Sequence, residues 1–343
     1  MNLSSLYRRI ENASVKSSML NEFAAESLET DRRFQVCVII PTKNRPEDLV
    51  RAVQSVLSQT ISPLSIVIVD QSLDFESERR VKHDLAEKVR SCGKPWKLTY
   101  VLDPGISGAA MARNRAMQLA DGDIWLFLDD DVILEANFVE QILKAYKLHG
   151  NAVGVSGVIT NYASPPLLLW LWTRTFMRGP FHDERQPIYW NSERLRTSPP
   201  LPVHRFGGGL MSFRAEVVRE MRFDENLKGV SDGEDVDFCA RLGHERLLLI
   251  APTARLVHNH SPSERLRDHW LRRSARGNFF FYQKNWNVGF KNKLCYAWLW
   301  TGYILVASFA SLRRYSLDPW RALRTGSLEA KVSCSRHRSR ERT

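Results

Sequence analysis

The chain has 343 residues, 43% of them hydrophobic and 25% charged, which supports one large core with an accessory part and excludes wholesale disorder. Five scattered cysteines, Cys37, Cys92, Cys239, Cys295 and Cys334, form no C-x-x-C pair; they exclude a disulfide framework or zinc site and read as reduced thiols of a cytoplasmic protein. The formal charge is +11, and nine Lys/Arg against three Asp/Glu from Arg313 onward leave that tail at +6, which suits nucleic acid, an anionic membrane or a solubilising extension.

Residues 1–34 are polar with weak helical periodicity and read as an N-terminal extension. Their opening, MNLSSLYRRIENAS, lacks the long apolar stretch of a secretory signal. Val36-Cys37-Val38-Ile39-Ile40 then predicts a strand buried on both faces, broken by Pro41-Thr42-Lys43-Asn44. Pro46 fits a first helical turn, with Leu49, Val50, Val53, Val56 and Leu57 following at helical spacing. A second strand over 66–69 ends at Asp70, a charged helix occupies about 74–91, and a third strand over 98–102 precedes Asp103. A small-residue helix over 107–120 leads to a fourth strand, 124–128, which runs into Asp129-Asp130-Asp131. This alternation predicts an α/β fold with a mostly parallel sheet flanked by helices. Ligands of such sheets bind beyond the carboxyl ends of the strands, where Thr42, Asp70, Asp103 and the Asp triplet all fall.

After Gly150 the alternation loosens. Residues 163–202 are proline-rich and hold an apolar segment over 167–172, too short to span a bilayer, that reads as a core piece or a membrane-facing lip. A Gly207-Gly208-Gly209 turn leads to another strand and helix. Ser231-Asp232-Gly233-Glu234-Asp235 opens a helix through Leu242, and residues 247–258 read as paired strands ending at His258. Residues 269–286 interleave basic and aromatic side chains, as a single-stranded nucleic-acid site or an amphipathic helix on a membrane surface would, and the second reading is preferred. Residues 294–312 carry no formal charge over 19 positions, close to the roughly 20 that span a bilayer. With interfacial aromatics and a basic tail beside it, this run predicts membrane association; a buried C-terminal helix is the alternative.

Three adjacent carboxylates repel one another and call for a cation. Alternate residues of an extended segment share a face, so Asp129 and Asp131 form the expected pair around Mg2+ or Mn2+. A solvated acidic loop or a helix cap is the alternative.

Six segments in order, V-C-V-I-I-P-T-K-N-R-P, I-V-I-V-D-Q-S, G-I-S-G-A-A-M-A-R-N-R-A, D-G-D-I-W-L-F-L-D-D-D-V, G-G-G-L-M-S-F-R and S-D-G-E-D-V-D-F, resemble glycosyltransferase family 2 over residues 35–260. The resemblance implies a GT-A fold and inversion at the anomeric carbon. It implies that Pro41, Thr42, Arg45 and Asp70 line a nucleotide pocket and that Arg113 lies near the nucleotide or its phosphates. Asp129 and Asp131 become the D-x-D metal site, with Asp130 touching the donor. Asp235 becomes the base that removes the acceptor proton, with Glu234 beside it on acceptor hydroxyls; helix capping by Asp232 is the competing duty. His258, and secondarily His260, becomes a further metal ligand. Asp70-Gln71-Ser72 departs from the family, many of whose members carry a second Asp after the first. Arg265 and Arg267 read as a solvated helix face, and residues 278–282 as an approach to the acceptor.

The layout expected is an N-terminal extension 1–34, a catalytic domain 35–264, an amphipathic and apolar helical region 265–312 and a basic tail 313–343. The activity expected is metal-dependent transfer of a sugar from a nucleoside-diphosphate sugar, UDP favoured, to a saccharide or lipid-linked saccharide in surface-polysaccharide or glycolipid assembly. The setting is cytoplasmic, at the inner face of the membrane, without a nucleic-acid partner. A metal-dependent nucleotidyltransferase and a basic membrane- or nucleic-acid-binding module are the alternatives. A dehydrogenase is disfavoured, because no G-x-G-x-x-G follows the first strand.

Overall fold

The structure is a computed structural model describing residues 34–63, 65–92, 97–162, 165–182, 196–226, 233–259, 270–286 and 288–340. Residues 1–33 of the N-terminal extension, Asp232, His260, Arg265, Arg267 and His269 lie outside the described residues.

The β-branched runs become the buried middle of a mixed, nine-stranded sheet. In chain order the strands are β1 (Val36–Thr42), β2 (Ser65–Asp70), β3 (Lys97–Leu102), β4 (Ile124–Leu128), β5 (Val132–Leu134), β6 (Ala152–Ile159), β7 (Leu201–Val203), β8 (Leu210–Arg214) and β9 (Leu247–His258). Their order is β3-β2-β1-β4-β8-β6-β9-β5, with β7 also on β9. The first four strands run parallel, joined by helices α1 (Pro46–Leu57), α2 (Glu76–Cys92) and α3 (Ala109–Met117). β8 enters antiparallel to β4 and β6, whereas β6 and β9 are parallel. Every residue of β1, β2 and β4 is buried, as expected of strands covered on both faces. Trp125, Phe127, Phe213, Phe223 and Phe238 fill the centre of the core, with Phe223 and Phe238 stacked at 4.2 Å.

Two local expectations are corrected. Pro41 does not end the first strand: it stays in β1 beside Val69, and Thr42 pairs with Asp70. Pairing with β4 stops earlier, at Ile39, so a residue without an N–H is tolerated there. Residues 247–258 are not two strands but one, of 12 residues. Ala251-Pro252-Thr253 fall between the stretches of β9 paired to β6, where the register shifts.

Helices α4 (Phe138–Leu148), α5 (Leu167–Phe176), α6 (Ala215–Val218) and α7 (Glu234–Leu242) complete the sheet-bearing part. Beyond it lie α8 (Trp270–Phe281), a π turn (Tyr282–Trp286), α9 (Phe290–Arg314) and α10 (Asp318–Arg340). Their shared core joins Leu271, Ala275, Tyr282, Leu299, Tyr303, Ala307 and Leu323 to Phe181. The segment read as a basic tail is therefore largely a helix, held to α8 by an Arg272–Glu329 ion pair and by burial of Ala330.

Candidate active site

The strand pairing assembles the acidic corner. β4 delivers Asp129, Asp130 and Asp131 into a turn before β5, and β5 lies antiparallel to β9 with Val132 opposite His258. Asp131 and His258, 127 positions apart by their numbers, thereby meet: His258 Nε2 lies 2.8 Å from Asp131 Oδ1. Asn161 fixes the His258 backbone on both sides, accepting from its N–H at 3.0 Å and donating to its carbonyl at 2.9 Å. One ligand atom from each of Asp129, Asp131 and His258 fits within 4.8 Å of the others. Two carboxylate oxygens and an imidazole nitrogen suit Mn2+ or Mg2+. Gly209 clears space beside them: a Cβ there would stand 2.7 Å from Asp129 Oδ2. These residues fit a divalent cation.

The residues expected to form a nucleotide side stand at the ends of β1 and β2. Asp130 is turned inward, accepting from Thr42 Oγ1 at 2.7 Å and from Arg45 Nη1 at 2.9 Å. Arg45 Nη1 also reaches Asp131 Oδ2 at 3.4 Å. Burial pushes the Asp130 carboxyl up to about 7, opposed by Arg45 and the Thr42 hydroxyl. Asp130 thus ties the end of β1 to the end of β4. Asp70 is fully buried: one oxygen accepts from the Ser72 N–H at 2.9 Å, the other from Tyr100 OH at 2.7 Å. Gln71, the departure from the family pattern, ties the end of β1 to the start of α3. Its N–H donates to Thr42 O at 3.0 Å, and its Oε1 accepts from Gly108 N–H at 2.7 Å. Asp103 closes its own turn by accepting from Gly105 N–H.

Arg113 links the Asp129–Asp131–His258 corner to the start of α7. It projects from α3, whose Ala110, Ala112 and Ala116 are buried against the sheet, and is itself 2% exposed. Its guanidinium donates to Glu234 Oε1 at 2.8 Å, Asp129 Oδ1 at 3.1 Å and Gly208 O at 2.8 Å. Glu234 and Asp235 open α7, where Gly233 adopts a φ of 103°, a left-handed conformation that favours glycine. Burial, with Asp235 alongside, pushes the Glu234 carboxyl up to about 7, and its Oε2 has no hydrogen-bond partner among the described residues. Asp235 stays half-exposed and accepts from the Val236 N–H at 2.8 Å. The two neighbouring acids therefore sit in different environments.

Gly233 and Val236 also line a cleft of about 210 Å3, whose other wall is Trp270, Arg273, Ser274, Gly277, Asn278 and Phe281 of α8, with Arg205 at its edge. Behind it, Lys284 bridges Asp224 at 2.6 Å and Asp237 at 2.9 Å, joining the C-terminal helices to α7. Asn161, Tyr100, Asp224 and Lys284 escaped sequence reasoning. None sits in a motif, and only tertiary pairing makes them partners. Gly208 and Gly209 carried a signal, since three consecutive glycines mark close backbone approach.

The model of the family described as Glycosyl transferase family 2 matches residues 37–222. A Haloferax volcanii protein named glucosyl-dolichyl phosphate glucuronosyltransferase is 27% identical over 129 residues, 37% of this chain and 38% of that protein. The putative colanic acid biosynthesis glycosyl transferase WcaA of Escherichia coli K12 is 34% identical over 97 residues, 28% of this chain and 32% of that protein. The match thus spans about a third of these relatives' length. Succinoglycan biosynthesis protein ExoM of Rhizobium meliloti is 26% identical over 233 residues, 67% of this chain and 68% of its own length. Among solved structures, mannosyltransferase PcManGT from Pyrobaculum calidifontis, in complex with GDP-Man and Mn2+, superposes with a TM-score of 0.51 at 17% identity, covering 97% of this chain and 99% of that one. S. aureus TarS 1-349 in complex with UDP-GlcNAc gives a TM-score of 0.54 at 13% identity, over 85% and 79% of the two chains. At these identities the likeness concerns the fold, which is of the GT-A kind. Residues 37–222 are more than half of the 343, and the chain belongs to glycosyl transferase family 2.

Proposed function

We propose that this glycosyltransferase is metal-dependent and inverting, and moves a sugar from a nucleoside-diphosphate sugar to a saccharide or lipid-linked saccharide at the cytoplasmic face of a membrane. The observation that carries the reading is the Asp129–Asp131–His258 cluster, joined through Arg113 to the Glu234–Asp235 pair. Mn2+ or Mg2+, when bound there, supplies positive charge against the charge developing on a diphosphate leaving group. Thr42, Arg45 and Asp70 hold the strand ends that form the nucleotide side, with UDP the favoured base-bearing group.

Asp235 is the base. It is half-exposed at the N-terminus of α7, which leaves it within reach of an acceptor hydroxyl. Glu234 is the positioning partner: burial favours its neutral form, and its bond to Arg113 fixes the start of α7 relative to Asp129. The cleft between α7 and α8 is the acceptor side. Residues 35–264 are the catalytic domain and the following helices its membrane-facing accessory. Assembly of a surface polysaccharide or glycolipid is the favoured setting, in keeping with the names of the relatives. Membership of this family favours glycosyl over nucleotidyl transfer.

Thermal-shift measurements with UDP-, GDP-, dTDP- and CMP-sugars, each with and without Mn2+, test the donor. One nucleotide should raise the melting temperature in a Mn2+-dependent way. In Asp131→Ala that dependence should vanish. A Mn2+-independent shift of equal size in wild type and variant would remove the metal site from the reading.

A further inference from the structure

Two helices far apart in sequence, α5 and α9, build one exposed apolar face. Trp172 Nε1 of α5 donates to Gly302 O at 3.1 Å, Trp298 Nε1 of α9 donates to Thr175 O at 2.7 Å, and the Phe176 and Trp298 rings lie 5.1 Å apart. Outward from this seam, α5 exposes Leu167, Leu168, Leu169 and Leu171, with Leu168 at 77%. The outer stripe of α9, Leu294, Trp298, Leu305, Phe309 and Leu312, follows helical spacing and is 45–76% exposed. Single exposed leucines are ordinary, but a contiguous face of this kind marks a docking surface.

Its flanks identify the partner. Lys291 and Lys293 precede the α9 stripe, Arg313 and Arg314 follow it, and Arg174 lies over Trp170 on α5; all five cations are exposed. An apolar stripe bounded by cations at both ends, with tryptophans beside it, matches the boundary of an anionic bilayer.

The packing also decides the orientation. At about 1.5 Å per residue, the 25 residues of α9 are long enough to cross a bilayer. Its inner face, however, buries Leu299, Tyr303 and Ala307 against α8 and α10, which carry Arg272, Arg273, Arg276, Arg321 and Arg324. Crossing would draw those arginines into hydrocarbon. We infer that α5 and α9 together form an in-plane docking surface for an anionic lipid bilayer, and that α9 does not span it. The inference deepens the proposed membrane contact and is independent of the sugar chemistry. It also sets the acceptor cleft near headgroup level, since α8 lines that cleft and packs on α9 through the Asn278–Tyr303 hydrogen bond.

Flotation of the full chain with vesicles tests this. The protein should float with mixed phosphatidylcholine–phosphatidylglycerol vesicles and far less with phosphatidylcholine alone. Leu168→Glu/Phe309→Glu, altering two side chains that are 77% and 64% exposed, should cut vesicle partition about tenfold or more while leaving the melting temperature unchanged. Failure to float with anionic vesicles, or flotation of the double variant equal to wild type, would overturn the inference. So would gel filtration showing a wild-type dimer that the variant makes monomeric, because a second copy would then cover the face. Resistance of the membrane-bound protein to alkaline extraction would overturn the in-plane orientation. Donor thermal shifts, recorded separately without lipid, keep a failure of the transferase reading distinct from a failure of this one.

Discussion

Gly209→Ala probes the metal corner through one methyl group. Gly209 lacks a positive φ, so alanine adds no backbone strain. The new Cβ would stand 2.7 Å from Asp129 Oδ2 and 3.7 Å from His258 Cε1. The backbones on either side are tied by the Asp129 N–H donating to Gly209 O at 3.3 Å, so relief falls on the carboxylate. Restoring an ordinary contact of 3.4 Å from 2.7 Å moves Oδ2 by about 0.7 Å (3.4 minus 2.7). Metal–ligand distances tolerate only about 0.2 Å. Disturbing a group that orients a ligand typically costs about 10- to 100-fold in metal affinity or activity. Half-saturation by Mn2+, measured in donor turnover or by calorimetry with a nucleoside diphosphate present, should therefore rise about 10- to 100-fold. Stability should change by less than about 1 kcal/mol, because only the end of a side chain moves. A variant that folds normally and saturates at the wild-type Mn2+ concentration would refute the assignment of Asp129 as a ligand.

Asp235→Asn should retain the Mn2+-dependent donor shift yet lower kcat by about 10²- to 10⁴-fold; a kcat within a few-fold of wild type would remove Asp235 as base. Lys284→Met should destabilise the chain by about 1–3 kcal/mol in urea unfolding, because buried Asp224 loses the cation at 2.6 Å while Asp237 keeps Arg241 at 3.0 Å. Glu234 gives a pH signature. Its carboxyl is pushed up to about 7 in the folded chain, so the folded state holds a proton that the unfolded chain releases near 4.5. Its contribution is complete below 4.5 and is lost as pH rises toward about 7. Without metal, the wild-type melting temperature should therefore fall between these values relative to Glu234→Gln; parallel profiles would contradict this.

Much of the sheet-bearing part was legible in the chain. β1, β2 and β4 announce themselves as short β-branched runs buried on both faces, and period-3.6 spacing marks α1. Polar residues at the strand ends followed from the geometry of parallel sheets. The roles of Asp130, Asp70 and Arg113 were less legible, because a motif conveys residue type and position but not whether a side chain faces a ligand or its neighbours. Asp130 turns in to Thr42 and Arg45, Asp70 is occupied by Ser72 and Tyr100, and Arg113 is enclosed between Asp129 and Glu234. The paired strands expected over 247–258 are one strand, because a register shift against β6 lets the chain run on through Pro252.

By itself, the sequence determined what local physics encodes: the alternating elements, the sheet edge at which polar strand ends gather, and the Asp-rich turn at the end of β4. The tertiary structure decided the partnerships. His258 meets Asp131 only because β5 and β9 pair in one register. The leucines of α5 share a surface with α9 only because two tryptophan N–H groups find carbonyls across 130 and 123 residues. Pairings over such distances depend on how all the layers close together, and no window of sequence contains that information.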